Sequence, residues 1–247
     1  METIIGYITD IITGYIELIF GANGWIGMLL SGAGMTILVA IGGFCFGGVV
    51  GSFVAWAKIA GGTTARTVAN IYTTILRGVP DLLIIYLFYF GGSALLTSIG
   101  QMFGSNAFIG LPSFITGVMA LGIVSGAYQA EVFRGAYSAL SKGELEAAKS
   151  VGMHRNLMFR RIIVPQVLRY AIPGLGNIWQ LILKQSALIS VTGLIELLFV
   201  SRMAASATRM PFPFYFTAIV IYLVITAVSG WGFKKMEQRA MRGVKGA

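Results

Sequence analysis

Five stretches of this chain, about Met35 to Ala57, Leu82 to Ile99, Pro112 to Ala130, Ile162 to Leu183 and Phe212 to Phe233, are nearly free of charge. Each approaches the roughly 20 apolar residues that a helix needs to cross a bilayer. The remainder of the chain agrees: 56% of its 247 residues are hydrophobic, 11% are charged and the mean hydropathy is +0.81, which is a membrane composition. The expected fold class is therefore all-α, a polytopic membrane protein with about five transmembrane helices, and the length suits one domain. A sixth apolar run, Ser186 to Val200, follows Lys184, ends near Arg202 and is short for a span. It reads as a re-entrant or partly inserted helix.

Charge sits in the gaps. Lys58, Arg66 and Arg77 occupy the first gap, Arg134 to Arg161 hold the densest cluster, and Lys234, Lys235, Arg239, Arg242 and Lys245 fill the tail. Residues 1–34 and Gly100 to Leu111 carry no lysine or arginine. Because basic residues concentrate on the cytoplasmic side, this pattern predicts an outer N-terminus and a cytoplasmic C-terminus, with Arg202 and Arg209 as outward exceptions. A net charge of +9 spread over gaps is not the stripe that a nucleic-acid surface needs. Residues 1–30 form a separate segment in which Ile4, Ile8, Ile11, Tyr15 and Ile19 recur at helical spacing, with Asp10 and Glu17 among the polar positions. A helix lying on the membrane surface and an ordinary packed helix both fit it. It lacks the basic start and small-residue cleavage site of a secretory signal.

Between Ser141 and Pro165 the text turns polar: SKGELEAAKSVGMHRNLMFRRIIVP. Ser141 followed by Glu144 is a capping box, Ala147 and Ala148 favour helix, Glu146 and Lys149 share a face, and Gly152 suits a left-handed stop. A second helix is expected from about Asn156, carrying Arg160 and Arg161. Two helices joined by a glycine make an elbow, the one segment suited to meet a soluble partner. A charged loop is also often no more than a solvated loop.

The order E-A-A, three residues, Gly152, nine residues, I-x-V-P resembles the EAA loop of permease subunits from ATP-binding cassette importers, with Val164 in place of the usual leucine. GAYQAEVFRGA (126–136), RGVPDLL (77–83) and RYAIPGLGNIWQLILKQSALIS (169–190) resemble the polar amino acid branch, the Q-type subunits of histidine and opine permeases in particular. The resemblance implies a type I importer fold over residues 31–233, a basic cytoplasmic tail at 234–247, and an inner-membrane location. It implies import of a polar, cationic amino acid or opine, with Glu144, Glu146, Ala147, Ala148, Lys149, Gly152 and Pro165 coupling the chain to an ATPase. The implied partners are a second permease subunit, two ATP-binding subunits holding ATP and magnesium, and a periplasmic binding protein. A self-sufficient secondary transporter or channel is the rival, although such folds usually repeat in halves and five spans do not divide evenly.

An enzyme is not expected. No stretch matches G-x-x-x-x-G-K-[ST], since GGTTAR at 61–66 lacks the Lys-Ser/Thr end, so no cofactor is expected on this chain. No metal spacing occurs, His154 reads as a surface side chain of the elbow, and Ser186 and Ser190 have no nearby base. Cys45 reads as a small core residue. Gly43, Gly47 and Gly51 at four-residue intervals predict close approach of another helix. Pro165, Pro173, Gly174 and Gly176 predict a distorted fourth span, the first candidate for a pathway wall. Among ionisable residues, Glu131 has Arg134 to pair with, and Lys184 and Arg169 can snorkel to the interfaces. Glu196, with Ser186, Ser190 and Thr192, is the candidate substrate-pathway set; an ordinary structural role for the carboxylate is the plainer alternative.

Overall fold

The computed structural model of the protein describes residues 6, 13–22, 24–104 and 107–242, and the described residues contain helices and no strands. A helical run over residues 13–20 carries Tyr15 and Ile19, whereas Ile4, Ile8, Asp10 and Ile11 lie outside the described residues. The helices that follow are α1 (Ile26–Ala60), α2 (Thr63–Gly78), α3 (Asp81–Met102), α4 (Ser113–Ser138), α5 (Lys142–Ser150), α6 (Arg155–Thr192), α7 (Leu197–Thr208) and α8 (Pro211–Ala240). α1, α3, α4 and α8 are each long and apolar enough to cross a membrane; α6 and α7, bent by 52° at the break between them, bring the number to five.

α1 and α4 form the most extensive pair, with glycines at the points of closest approach. A Cβ on Gly47 would fall 2.1 Å from Ser125 Oγ, one on Gly43 2.8 Å from Leu121, and one on Gly51 2.9 Å from Gln129. Gly122 and Gly126 give the same room from α4, facing Phe46 and Val50. The contact is also hydrogen-bonded: Ser125 Oγ donates to the Gly43 carbonyl at 3.3 Å and Gln129 Nε2 to the Phe44 carbonyl at 3.0 Å. In hydrocarbon, where burial of apolar surface drives little association, close backbone packing and such bonds are what hold helices together. Cys45 lies two residues from Gly43, about 200° around the helix, and is exposed on the outer face with Leu38, Ile41 and Val49. Helical phase thus overturns its reading as a core residue.

Apolar side chains from α1, α3, α4 and α6, among them Val39, Ile85, Leu121, Ile182 and Ile189, fill one core. Leu29, Leu197, Val200 and Phe214 build a second one between α1, α7 and α8. Many large apolar residues remain outward, including Phe212, Leu223 and Val228 on α8, as the lipid-facing surface of a membrane bundle requires.

Three elements differ from the reading of the sequence. α2 occupies what reads as an interhelical gap. It is amphipathic, with Val68, Ile71 and Ile75 outward at helical spacing while Ala69 and Thr73 pack inward, and its arginines mask that periodicity in an average over the segment. The fourth span is not broken at Pro173, Gly174 and Gly176, which all lie inside α6. Gly174 and Gly176 serve packing: a Cβ at Gly174 would approach Val132 to 2.8 Å, and one at Gly176 would approach Phe233 to 3.3 Å. Pro165, which has no N–H to donate, stands in the first turn after a π-helical turn over Phe159–Ile163. The break comes later, at residues 193–196, where Gly193 takes φ +82° and ends α6. It divides the run Ser186 to Val200 between two helices.

Candidate functional site

The elbow is built from local signals. Ser141 precedes α5 in extended conformation, yet its hydroxyl makes no capping bond, so the expected capping box does not close. Glu144 instead accepts a hydrogen bond from Gln166 Nε2 at 2.5 Å and ties α5 to the base of α6. At the other end Gly152 has φ +76°, the Met153 N–H donates to the Ala148 carbonyl at 3.0 Å and the Gly152 N–H to the Lys149 carbonyl at 3.0 Å. That pair of bonds around a left-handed glycine is a Schellman stop. His154 then caps the next helix, its Nδ1 accepting from the Leu157 N–H at 3.2 Å, so this exposed side chain has a structural role that its surface reading missed. The second helix starts at Arg155.

The two alanines of the motif divide. Ala148 is 5% exposed and packs into its own chain, whereas Ala147 looks outward with Glu146, Lys149 and Val151, the last 77% exposed. A small, flat, mixed-charge face therefore projects from the bundle. Next to it an apolar groove of about 610 Å³ runs between α1, α4 and the start of α6, lined by Phe53, Trp56, Phe133, Phe159, Val164 and Leu168.

An ion triad binds this end of the bundle together. Lys58 Nζ donates to Glu131 Oε1 and, at 2.6 Å, to Thr73 Oγ1, while Arg134 Nε donates to Glu131 Oε2 at 2.9 Å. The Lys58 side chain is only 6% exposed. The pairing of Glu131 with Arg134 is thus one half of the arrangement, and Lys58, read as a gap residue, supplies the other by joining α1, α2 and α4.

Glu196 is wholly enclosed. Oε1 accepts from the Phe199 N–H at 2.7 Å; Oε2 accepts from the Leu198 N–H at 2.9 Å, from Thr36 Oγ1 at 3.2 Å and from the Tyr222 hydroxyl at 3.2 Å. It caps α7 and joins it to α1 and α8, so the carboxylate considered for the pathway is committed to donors of its own chain. Ser186, Ser190 and Thr192 are also buried; Ser186 Oγ donates to the Leu183 carbonyl and Thr192 Oγ1 to the Ile189 carbonyl, each at 2.8 Å. A row of polar residues does reach a surface on α6. Gln166, Arg169, Tyr170, Asn177, Gln180 and Lys184 recur at helical spacing on one face, and Asn177 and Lys184 are exposed. That 3.6-residue recurrence was present in the sequence but is obscured by the apolar residues between them.

A bundle of membrane-crossing helices with a projecting, glycine-stopped elbow defines a polytopic helical membrane protein. The family described as binding-protein-dependent transport system inner membrane component matches residues 47–242, and the chain belongs to it. It is a non-catalytic permease component of the ATP-binding cassette class, similar to the polar amino acid branch. The octopine transport system permease protein OccQ of Rhizobium meliloti is 50% identical over 233 residues, covering 94% of this chain and 98% of the relative. The histidine/lysine/arginine/ornithine transport system permease protein HisQ of Escherichia coli (strain K12) is 38% identical over 224 residues, covering 91% and 98%. Among solved structures, one described as an amino acid ABC transporter with histidines superposes with a TM-score of 0.73 at 32% identity, covering 87% of this chain and 95% of that one.

Proposed function

We propose that this chain is one half of the membrane pore of an ATP-driven importer that carries a cationic amino acid or opine from the periplasm into the cytoplasm of a bacterial cell. The observation that carries this reading is the elbow, whose outward face of Glu146, Ala147 and Lys149 is held at a fixed angle by the Gly152 stop and the Glu144–Gln166 bond. An ATPase bearing ATP and magnesium docks there. Ala147 gives close approach, Glu146 and Lys149 give polar contacts, Ala148 and Gly152 set the shape, and Pro165 fixes where the span begins. Two such ATPases, a homologous second permease subunit and a periplasmic binding protein complete the machine. The pathway runs along the polar face of α6, and the buried set Glu196, Ser186, Ser190 and Thr192 supports the bend behind it.

On this reading the elbow and residues 234–247 are cytoplasmic and the N-terminal segment of residues 1–30 is periplasmic, as the distribution of lysine and arginine favours. The names of the relatives favour the substrate class: OccQ is named for octopine, and HisQ for histidine, lysine, arginine and ornithine.

The test follows from the division of the alanines. Ala147→Trp adds bulk to an exposed position, so insertion and folding are retained while ATP-driven uptake in proteoliposomes with the full set of partners falls to background. Wild-type uptake by Ala147→Trp, or flux through the purified chain without any ATPase, overturns the reading.

A further inference from the structure

We infer that the apolar groove beside the elbow is a binding site for one anionic phospholipid, with an acyl chain in the groove and the phosphate on Arg155 and Arg160. The inference goes beyond transport and holds whichever solute is carried.

On α6 two rows of side chains line the groove, Phe159, Ile163 and Val167 in one, Val164 and Leu168 in the other. Residues four apart lie on one side of a helix, and a π-helical turn shifts that register only slightly. Carried one turn toward the elbow, the first row reaches Arg155 and the second reaches Arg160. From Phe159 to Leu168 the helix rises about 13 Å, close to half of the roughly 30 Å hydrocarbon core. The groove therefore has the depth of a single leaflet. Trp56 of α1 and Tyr137 of α4 line it as well, and aromatic side chains with one polar end favour the level of the headgroups.

The mouth of the groove is basic and unneutralised. Arg155 and Arg160 are exposed, and neither has an ion pair among the described residues. α1 and α6 contain no acidic residue. Of the acids on α4 and α5, Glu131 is held by Lys58 and Arg134, Glu144 accepts from Gln166, and Glu146 faces outward from the elbow. Among the described residues no charged side chain lines the groove itself. Its volume of about 610 Å³ is thus apolar along its length and flanked by two guanidinium groups at one end. A hydrocarbon chain meets the first property without any polar demand. A phosphate meets the second, because a guanidinium fork can give two N–H groups to its oxygens. A neutral lipid or a detergent satisfies the apolar part alone.

Native mass spectrometry of the purified full-length chain tests this, with the protein released from detergent in an equimolar mixture of phosphatidylglycerol and phosphatidylcholine of the same acyl chains. Each basic residue near an anionic headgroup is worth about fivefold in affinity, so the wild type should retain phosphatidylglycerol at least tenfold more than phosphatidylcholine. Arg155→Gln with Arg160→Gln should abolish the preference, and Arg155→Lys with Arg160→Lys should keep most of it. Lys234→Gln with Lys235→Gln removes the same charge from the end of α8 and should leave the preference as in wild type. Leu168→Trp fills the groove from an exposed position and should lower retention of both lipids. Equal retention of the two lipids by the wild type, or an equal fall in the arginine and lysine variants, overturns the site. Loss of the lipid on pairing with a second copy or with the second permease subunit also overturns it, since protein then covers the groove. Should the glutamine variant fail to fold, Leu168→Trp carries the test, and retention equal to wild type overturns the site. None of these outcomes touches the importer reading.

Discussion

At the scale of single residues, the bonded carboxylates Glu196 and Glu131 are the places where one atom decides. Glu196→Gln replaces one of two acceptor oxygens with an NH2 group that must face either the Phe199 N–H, in place of Oε1, or the Leu198 N–H with the Thr36 and Tyr222 hydroxyls, in place of Oε2. Losing hydrogen bonds to a charged group costs about 1.5–3 kcal/mol each, so the expected effect is a loss of about 2 kcal/mol or more, read as a lower unfolding temperature in detergent. Substrate preference should be unchanged; altered preference in a normally stable variant would restore the pathway role. Glu131→Gln leaves the Lys58 ammonium enclosed without its counter-charge, and breaking a buried pair in this way costs about 3–5 kcal/mol. Thermal unfolding of Glu131→Gln should show the larger loss of the two variants. Legibility at this scale followed sequence distance. Glu131 with Arg134, and Gly152 as a stop, were readable because partner and residue lie within one or two turns. Lys58 with Glu131, Glu144 with Gln166 and Glu196 with Tyr222 were not, since those bonds exist only once helices distant in sequence have been packed together.

At the scale of elements, the spans were legible because their signal, a long uncharged run, owes nothing to tertiary context. Their ends were less so. α1 begins at Ile26 and not near Met35, because the small residues Ser31, Gly32 and Gly34 dilute the hydropathy of its first turns while Gly32 fits closely against the backbone of Glu196 and Leu197. α2 was hidden by its arginines, and the proline and glycines of α6 gave a false break, since glycine in a membrane helix is as often a contact as a hinge. The glycine seam yields a prediction of its own. Gly47→Val places a branched side chain where a Cβ alone already meets Ser125 Oγ at 2.1 Å, so α1 and α4 must separate, and overpacking of this kind costs about 1–3 kcal/mol or more. The yield of folded, monodisperse protein should fall sharply for Gly47→Val and little for Gly27→Val, whose Cβ would meet nothing within 4 Å.

At the scale of the whole molecule, topology is the property to test. Val151, at the tip of the elbow, is 77% exposed, and Cys45 is exposed within α1. In a Cys45→Ser background, Val151→Cys should be labelled by a membrane-impermeant maleimide only after the inner membrane is opened; labelling in intact spheroplasts would place the elbow outside. The fold class was fully legible because a bilayer permits few solutions, whereas the assembly is legible only through what the bundle leaves uncovered: the face of α5, the polar side of α6 and the apolar surface of α8.

The seam between α1 and α4 has a mechanical meaning. Five glycines receive Leu121, Ser125, Gln129, Phe46 and Val50 from the facing helix, so the two rods are keyed together and the pair behaves as a rigid plate. α5 is fastened to the lower edge of that plate by a three-residue connection after Ser138. A push delivered there is not absorbed by shear and tips the plate as one body, with the bend between α6 and α7 at Gly193 on the opposite side.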